Sequence, residues 1–108
     1  MTSRKKIFTA EMINREQQKY LRTLAHDRKV IVRIGQNGLT ENVLAEINAA
    51  LAHHELIKIK LPGGDRDDKN QLINEICDKT DAEKVQAIGN VLTLYKRNTG
   101  SPRITLPD

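Results

Sequence analysis

The sequence predicts an α/β domain, a compact mixed four-stranded sheet with three helices in the order α-β-α-β-α-β-β, and three features predict it. Apolar residues recur at helical spacing in three separate segments. β-branched runs and strict alternation mark strands between and after them. Breaks at Gly35-Gln36-Asn37-Gly38, Pro62-Gly63-Gly64-Asp65 and Gly89-Asn90 divide the elements from one another.

Asn14 and Gln17 have the spacing of a capping box and open a first helix that should run to about Asp27. Leu21, Leu24 and Ala25 form its buried stripe, while Arg15, Lys19, Arg22 and His26 line up on the opposite side. Val30 to Ile34 is a β-branched run that reads as a mostly buried strand. After the glycine loop, Thr40 is placed to cap a second helix ending near His53, with Leu39, Val43, Leu44, Ile47 and Leu51 directed inward and Glu41 and Glu46 outward.

Alternation over Leu56 to Leu61 puts Ile57, Ile59 and Leu61 on one face of a second strand and Lys58 and Lys60 on the other. Asp68 is the expected cap of a third helix, whose apolar side is Leu72, Ile73, Ile76 and Cys77. Val85–Ile88 and Val91–Tyr95 close the domain as a hairpin around Gly89-Asn90. Helical crossovers make the early strands parallel, and the hairpin adds an antiparallel pair. Residues 1–12 read as a flexible basic arm, residues 13–108 as one domain, and Ile104 and Leu106 as anchors for a polar tail.

With 108 residues, 38% of them hydrophobic, the chain supports one thin core under a charged surface. No stretch approaches the roughly 20 apolar residues of a membrane span, so no membrane partner is expected. Arg4, Lys5 and Lys6 are not followed by the apolar region of a secretory signal. The lone cysteine, Cys77, rules out an internal disulfide and fits a reducing cytoplasm.

The net charge of +4 is unevenly spread. Residues 1–33 hold nine Lys/Arg against three acids, residues 34–83 five against ten, and residues 84–108 four against one. Such polarity suits a molecule with one face toward a polyanion and another turned away.

Gly35-Gln36-Asn37-Gly38 sits between a strand and a helix. Glycines permit close backbone approach, and the helix start offers N–H groups suited to phosphate. A Gly-x-x-Gly loop clamping a nucleic-acid backbone is the device of the KH fold, although a plain tight turn explains the same residues. The Gly-Lys-Ser/Thr ending of a Walker loop and the third glycine of a dinucleotide fingerprint are both missing.

The stripe Arg15, Lys19, Arg22, His26 contains no acid, unlike an ordinary solvated helix face, and Arg28 and Lys29 would extend it. Lys58 and Lys60 either join that surface or merely edge the sheet. Phe8, Tyr20 and Tyr95 are the only aromatics, too few for a base-stacking sheet, so backbone contacts to folded or paired RNA match better. The tyrosines read as core-edge residues. His53-His54 suits a helix end, Cys77 a core position, and Asp65, Asp67 and Asp68 a turn with a cap. No zinc spacing, nucleophile elbow or EF-hand pattern is visible, so neither enzyme activity nor a cofactor is expected.

Several segments occur in an order that resembles the CRM domain, the chloroplast RNA splicing and ribosome maturation module, in its bacterial stand-alone YhbY form. They are Gln17-Gln18-Lys19-Tyr20-Leu21-Arg22-Thr23-Leu24-Ala25-His26, Ile34 to Val43 around the glycine loop, His54 to Lys60, Val85 to Gly89, Leu92 to Arg97, and Ile104-Thr105-Leu106-Pro107. The resemblance covers roughly Ile13 to Pro107. It implies a sandwich similar to the C-terminal domain of translation initiation factor three, and RNA binding through Gly35, Gln36, Asn37, Gly38 and Thr40 with the adjoining cations. It also implies association with precursors of the large ribosomal subunit. Two departures stand out: Gln36-Asn37 places no cation in the loop, and Arg28-Lys29 replaces a common Lys-Pro, adding charge and removing a stiff lead-in to the strand.

The expected partner is therefore structured ribosomal RNA, bound by a cytoplasmic monomer with no small-molecule substrate. The rival expectation is a protein-docking adaptor that uses Glu41, Glu46 or Asp67 of the acidic middle. A nucleotide-binding enzyme built on the glycine loop is a remote third, since no general base or metal ligand accompanies it.

Overall fold

A computed structural model describes residues 13–98, 100, 102 and 104–107. The elements are α1 (Arg15–Ala25), β1 (Val30–Arg33), α2 (Glu41–His54), β2 (Leu56–Lys60), α3 (Arg66–Thr80), β3 (Glu83–Ile88) and β4 (Val91–Tyr95), in the expected α-β-α-β-α-β-β order. The sheet order is β1-β2-β4-β3, with β1 parallel to β2 and both other pairings antiparallel. The arm expected over residues 1–12 lies outside the described residues.

Alternation along the strands divides the apolar residues between two cores. Val32, Ile34, Ile57, Ile59, Leu61, Leu92 and Leu94 project from one face and meet Ile47 and Leu51 of α2 and Ile73 and Ile76 of α3. On the other face Leu56, Val85 and Tyr95 receive Leu21 and Ala25 of α1, with Ile13, Leu24, Ile104 and Leu106 packed around them. The sandwich thus has three layers. Burying a leucine or isoleucine contributes roughly 1.5–3 kcal/mol, so even the smaller cluster is enough to seat a short helix.

The helix starts follow local chemistry. Asn14 accepts from Gln17 N at 2.8 Å and Gln17 Oε1 accepts from Asn14 N at 3.0 Å, a complete capping box. Thr40 caps α2 by accepting from Val43 N at 3.2 Å. The cap of α3 is Asp65, which accepts from Asp68 N at 2.8 Å, so the cap stands three residues before the expected Asp68. Its first turn, Arg66 to Lys69, has no apolar residue to signal helix. Similarly, β3 begins at Glu83 rather than Val85 because an edge strand tolerates polar residues. The first helix ends at Ala25, short of Asp27; His26 caps it and Arg28 N donates to Ala25 O.

Glu55 joins α2 to β2 and is fully buried, with a left-handed φ of 64°. Its main chain receives Lys96 N, and its carboxylate accepts Asn98 N at 2.6 Å and Ile104 N at 2.8 Å. Asn98 also donates to Ala52 O, and Gln17 Nε2 donates to Pro107 O, tying the tail across α1. Ile104 and Leu106 are anchors, as expected.

Tyr95 lies deeper than a core-edge position, 3% exposed, and its hydroxyl is buried with no hydrogen-bond partner among the described residues. Burial pushes its phenol above the ordinary 10.0, and the nearby Glu55 carboxylate pushes the same way. Tyr20, by contrast, is exposed.

Two outcomes follow for stability. Glu55→Ala strands two half-buried N–H groups and should cost about 2 kcal/mol in urea unfolding. Tyr95→Phe removes an orphaned hydroxyl and should add about 1 kcal/mol at neutral pH. Because the folded phenol holds its proton above pH 10, folding stability falls as pH rises past that value. Tyr95→Phe should flatten that alkaline decline, read as Tm against pH.

Candidate nucleic-acid interface

The loop after β1 is held by its own backbone. Gly38 N donates to Gly35 O at 3.0 Å, Thr40 N donates to Gly38 O at 3.0 Å, and Gly38 has a φ of 76° that L side chains rarely adopt. Gly35 differs: its φ is ordinary, and a methyl group built there would meet nothing within 4 Å. The protein does not need glycine at 35 for packing, whereas an external backbone approaching the loop would. Gln36 and Asn37 are exposed at its tip.

Thr40 is occupied as the α2 cap. Glu41 in the first turn already places negative charge at the helix dipole's positive end. A phosphate here would meet that carboxylate, and Gly38 N and Thr40 N are already bonded within the loop, which leaves the N–H groups of Gln36 and Asn37 at its tip as the better donors.

The first-helix stripe forms as expected. Arg15, Lys19, Arg22 and His26 are exposed on the side of α1 away from the sheet. None of Arg15, Lys19 or Arg22 is held in an ion pair with another described residue. Arg28 is partly structural: its Nη1 donates to Leu56 O at 2.8 Å, fixing the guanidinium against the start of β2. Lys29 is exposed beside it, and both line a cleft of about 330 Å³ with Ile31, His54, Leu56 and Ile57.

The structure brings Arg28 and Lys29 together with the end of α1, but not with the glycine loop. The apolar residues that seat α1 lie at the Leu56 and Tyr95 end of the sheet. The loop lies at the other end, where Ile34 N donates to Lys60 O. From Leu56 to Lys60 a strand advances about 13 Å. The resemblance implies cations adjoining the loop; the placing of the α1 stripe beside it is corrected, because the two stand apart, with Lys58 and Lys60 on the sheet between them. Their separation depends on which end of the sheet α1 covers, which periodicity does not reveal.

Periodicity does not reveal that two further cations, Lys96 and Arg97, lie at the Leu56 end. Lys96 and Arg97 leave β4 there, exposed, and His53 and His54 close α2 nearby, with ring centroids 4.5 Å apart. Lys96 N bonds to Glu55 O, so these groups adjoin the Arg28 side of the molecule. The acids Glu41, Glu46 and Asp67 are exposed on α2 and α3, across the sheet from α1. Among the described residues no group of His, Cys, Asp and Glu could hold a metal ion, and no helix is long and apolar enough to cross a membrane.

Fold and site together define a small α/β module with one basic outer helix and a glycine loop. The chain belongs to the CRS1 / YhbY (CRM) domain family, whose model matches residues 13–96. It is 48% identical over 95 residues to a Haemophilus influenzae protein named "RNA-binding protein", covering 88% of this chain and 95% of that one. It is 32% identical over 96 residues to Bacillus subtilis "Probable RNA-binding protein YqeI", covering 89% and 100%. The solution structure of Staphylococcus aureus SAV1595 superposes with a TM-score of 0.77 at 35% identity, over 89% of this chain and all of that one.

The two loop glycines should respond differently to alanine. Gly38→Ala forces a side chain into left-handed backbone and should cost about 1–2 kcal/mol. Gly35→Ala should leave the urea midpoint within error of the unsubstituted protein.

Proposed function

We propose that the chain is a non-catalytic RNA-binding protein that associates with structured ribosomal RNA during assembly of the large ribosomal subunit. It acts as a monomer in the cytoplasm. The observation that carries this reading is the exposed Arg15, Lys19, Arg22 stripe, acid-free and held in no ion pair with another described residue. Family membership and relatives named as RNA-binding support it.

In this reading the stripe neutralises phosphates, and Gly35 leaves room for an RNA backbone against the loop. Gln36 and Asn37 add amide hydrogen bonds. Arg28 presents a guanidinium already ordered by Leu56 O, so little side-chain entropy is lost on binding. Tyr20 is the one exposed Phe, Tyr or Trp among the described residues, which fits recognition of backbone and shape over stacked bases.

A second reading has its own observation. Exposed Glu41, Glu46 and Asp67 make the α2–α3 side acidic, a surface suited to docking a basic protein on the same particle. Association that survives nuclease and is lost on charge reversal of those acids would favour it.

The test compares the chain with its Arg15/Lys19/Arg22→Ala variant on sucrose gradients at low salt. The unsubstituted protein should travel with large-subunit particles and the variant should stay at the top. In filter binding, the variant's log–log salt slope should be shallower by about two to three units, since each phosphate contact contributes ~0.7 on single strands and ~0.9 on duplex. Gly35→Ala should weaken binding several-fold without loss of Tm. An unchanged salt slope in the triple variant would remove the basis of the assignment.

A further inference from the structure

The face of the sheet that α1 covers is only partly roofed. Alternation along β2 puts Leu56, Lys58 and Lys60 on this face; Leu56 is sealed beneath α1, and the lysines lie successively farther out. Lys60 is in register with Arg33 on β1, and both are exposed, while Lys58 is half-buried. Like charges side by side across a strand pair repel and weaken the pairing.

Among the described residues no acid stands beside them on the neighbouring strands; Glu83 is on this face but pairs in register with Tyr95, at the Leu56 end. The β4 partners of Lys58 and Lys60 are Thr93 and Val91, and the next positions on β3 are Gln86 and Ile88. None of the three cations is ion-paired to another described residue. Acids are close in sequence, but Asp65 caps α3 and Asp67 and Asp68 fill its first turn. A repulsive cluster in an otherwise locally consistent sheet is the kind of departure that concentrates at working sites.

The cluster also adjoins the glycine loop. Ile34 N donates to Lys60 O at 2.8 Å, and Gly35 follows directly, so a phosphate chain leaving the loop toward α1 meets Lys60 and Arg33 first, then Lys58. We infer that Arg33, Lys58 and Lys60 form a second phosphate-binding track on the open part of the sheet, filling the interval between the loop and the α1 stripe. The inference rests on the RNA-binding reading above and deepens it: the RNA lies across the sheet face, gripped by two separate sets of cations.

The experiment is filter binding of large-subunit ribosomal RNA over a salt series, with Lys58→Gln/Lys60→Gln beside Arg15/Lys19/Arg22→Ala and Lys79→Gln. Lys79 stands 4.0 Å from Glu75 on α3 and serves as a distant control. The double variant should bind roughly tenfold more weakly at low salt, with a slope shallower by about 1.4 to 1.8 units, while the control matches the unsubstituted protein. Its Tm should be equal or higher, because a repulsion has been removed; a merely structural pair of lysines would lower it. An unchanged slope in the double variant, with a reduced one in the triple, overturns the sheet track and leaves the RNA-binding reading standing. Unchanged slopes in both overturn the two together.

Discussion

One buried carboxylate ties together the strand end and the tail that flank the basic helix. Glu55 sits where α2 must turn into β2, in left-handed backbone that a non-glycine residue disfavours. Its carboxylate accepts main-chain N–H groups from positions 98 and 104, bringing the end of β4 and the tail to the same point. The tail in turn supplies Ile104 and Leu106 to the small core under α1, and Pro107 O to Gln17. A buried charge satisfied in this way holds together segments that no regular element connects. The tail thereby borders α1, whose own Leu21 and Ala25 turn Arg15, Lys19 and Arg22 outward.

The sheet also separates charge. Its α1 side carries the helix stripe and the sheet cations, while the α2 and α3 side carries Glu41, Glu46 and Asp67. A polyanion approaching the α1 side meets attraction, and the opposite orientation is disfavoured by the acids, so the field orients the molecule before contact. At the loop the two signs lie close. Glu41 already complements the α2 dipole, so a further anion at that helix end would meet a carboxylate.

Much of the fold was legible because it rests on short-range chemistry. The Asn14–Gln17 box, the Thr40 cap, the alternation of β2 and the closing hairpin each involve residues within a few positions of one another. What was not legible is long-range or lacks an apolar signature. The first turn of α3 is wholly polar, so the sequence pattern points to a cap at Asp68 rather than Asp65. Glu55 looks like an ordinary polar residue at a helix end, because its partners lie 43 and 49 positions away. In the candidate site, spacing alone revealed the cation stripe. Its separation from the glycine loop followed from which half of the sheet α1 covers, and that is a packing outcome.

That packing outcome bears on how such a surface could discriminate. With Tyr95 buried, Tyr20 is the one exposed Phe, Tyr or Trp among the described residues, so large stacking platforms are scarce. Guanidinium and ammonium groups read phosphates, which carry no sequence of their own. On the proposed reading, selectivity must then come from the spacing of cation sets fixed on rigid elements. The loop is tied to β1 and β2, Arg28 is tied to Leu56 O, and α1 is seated by its own core and strapped by the tail. An RNA whose phosphates match that spacing meets all the sets at once, and one that does not meets only some. A contact set of this kind distinguishes folded shapes while remaining indifferent to most base changes that preserve them.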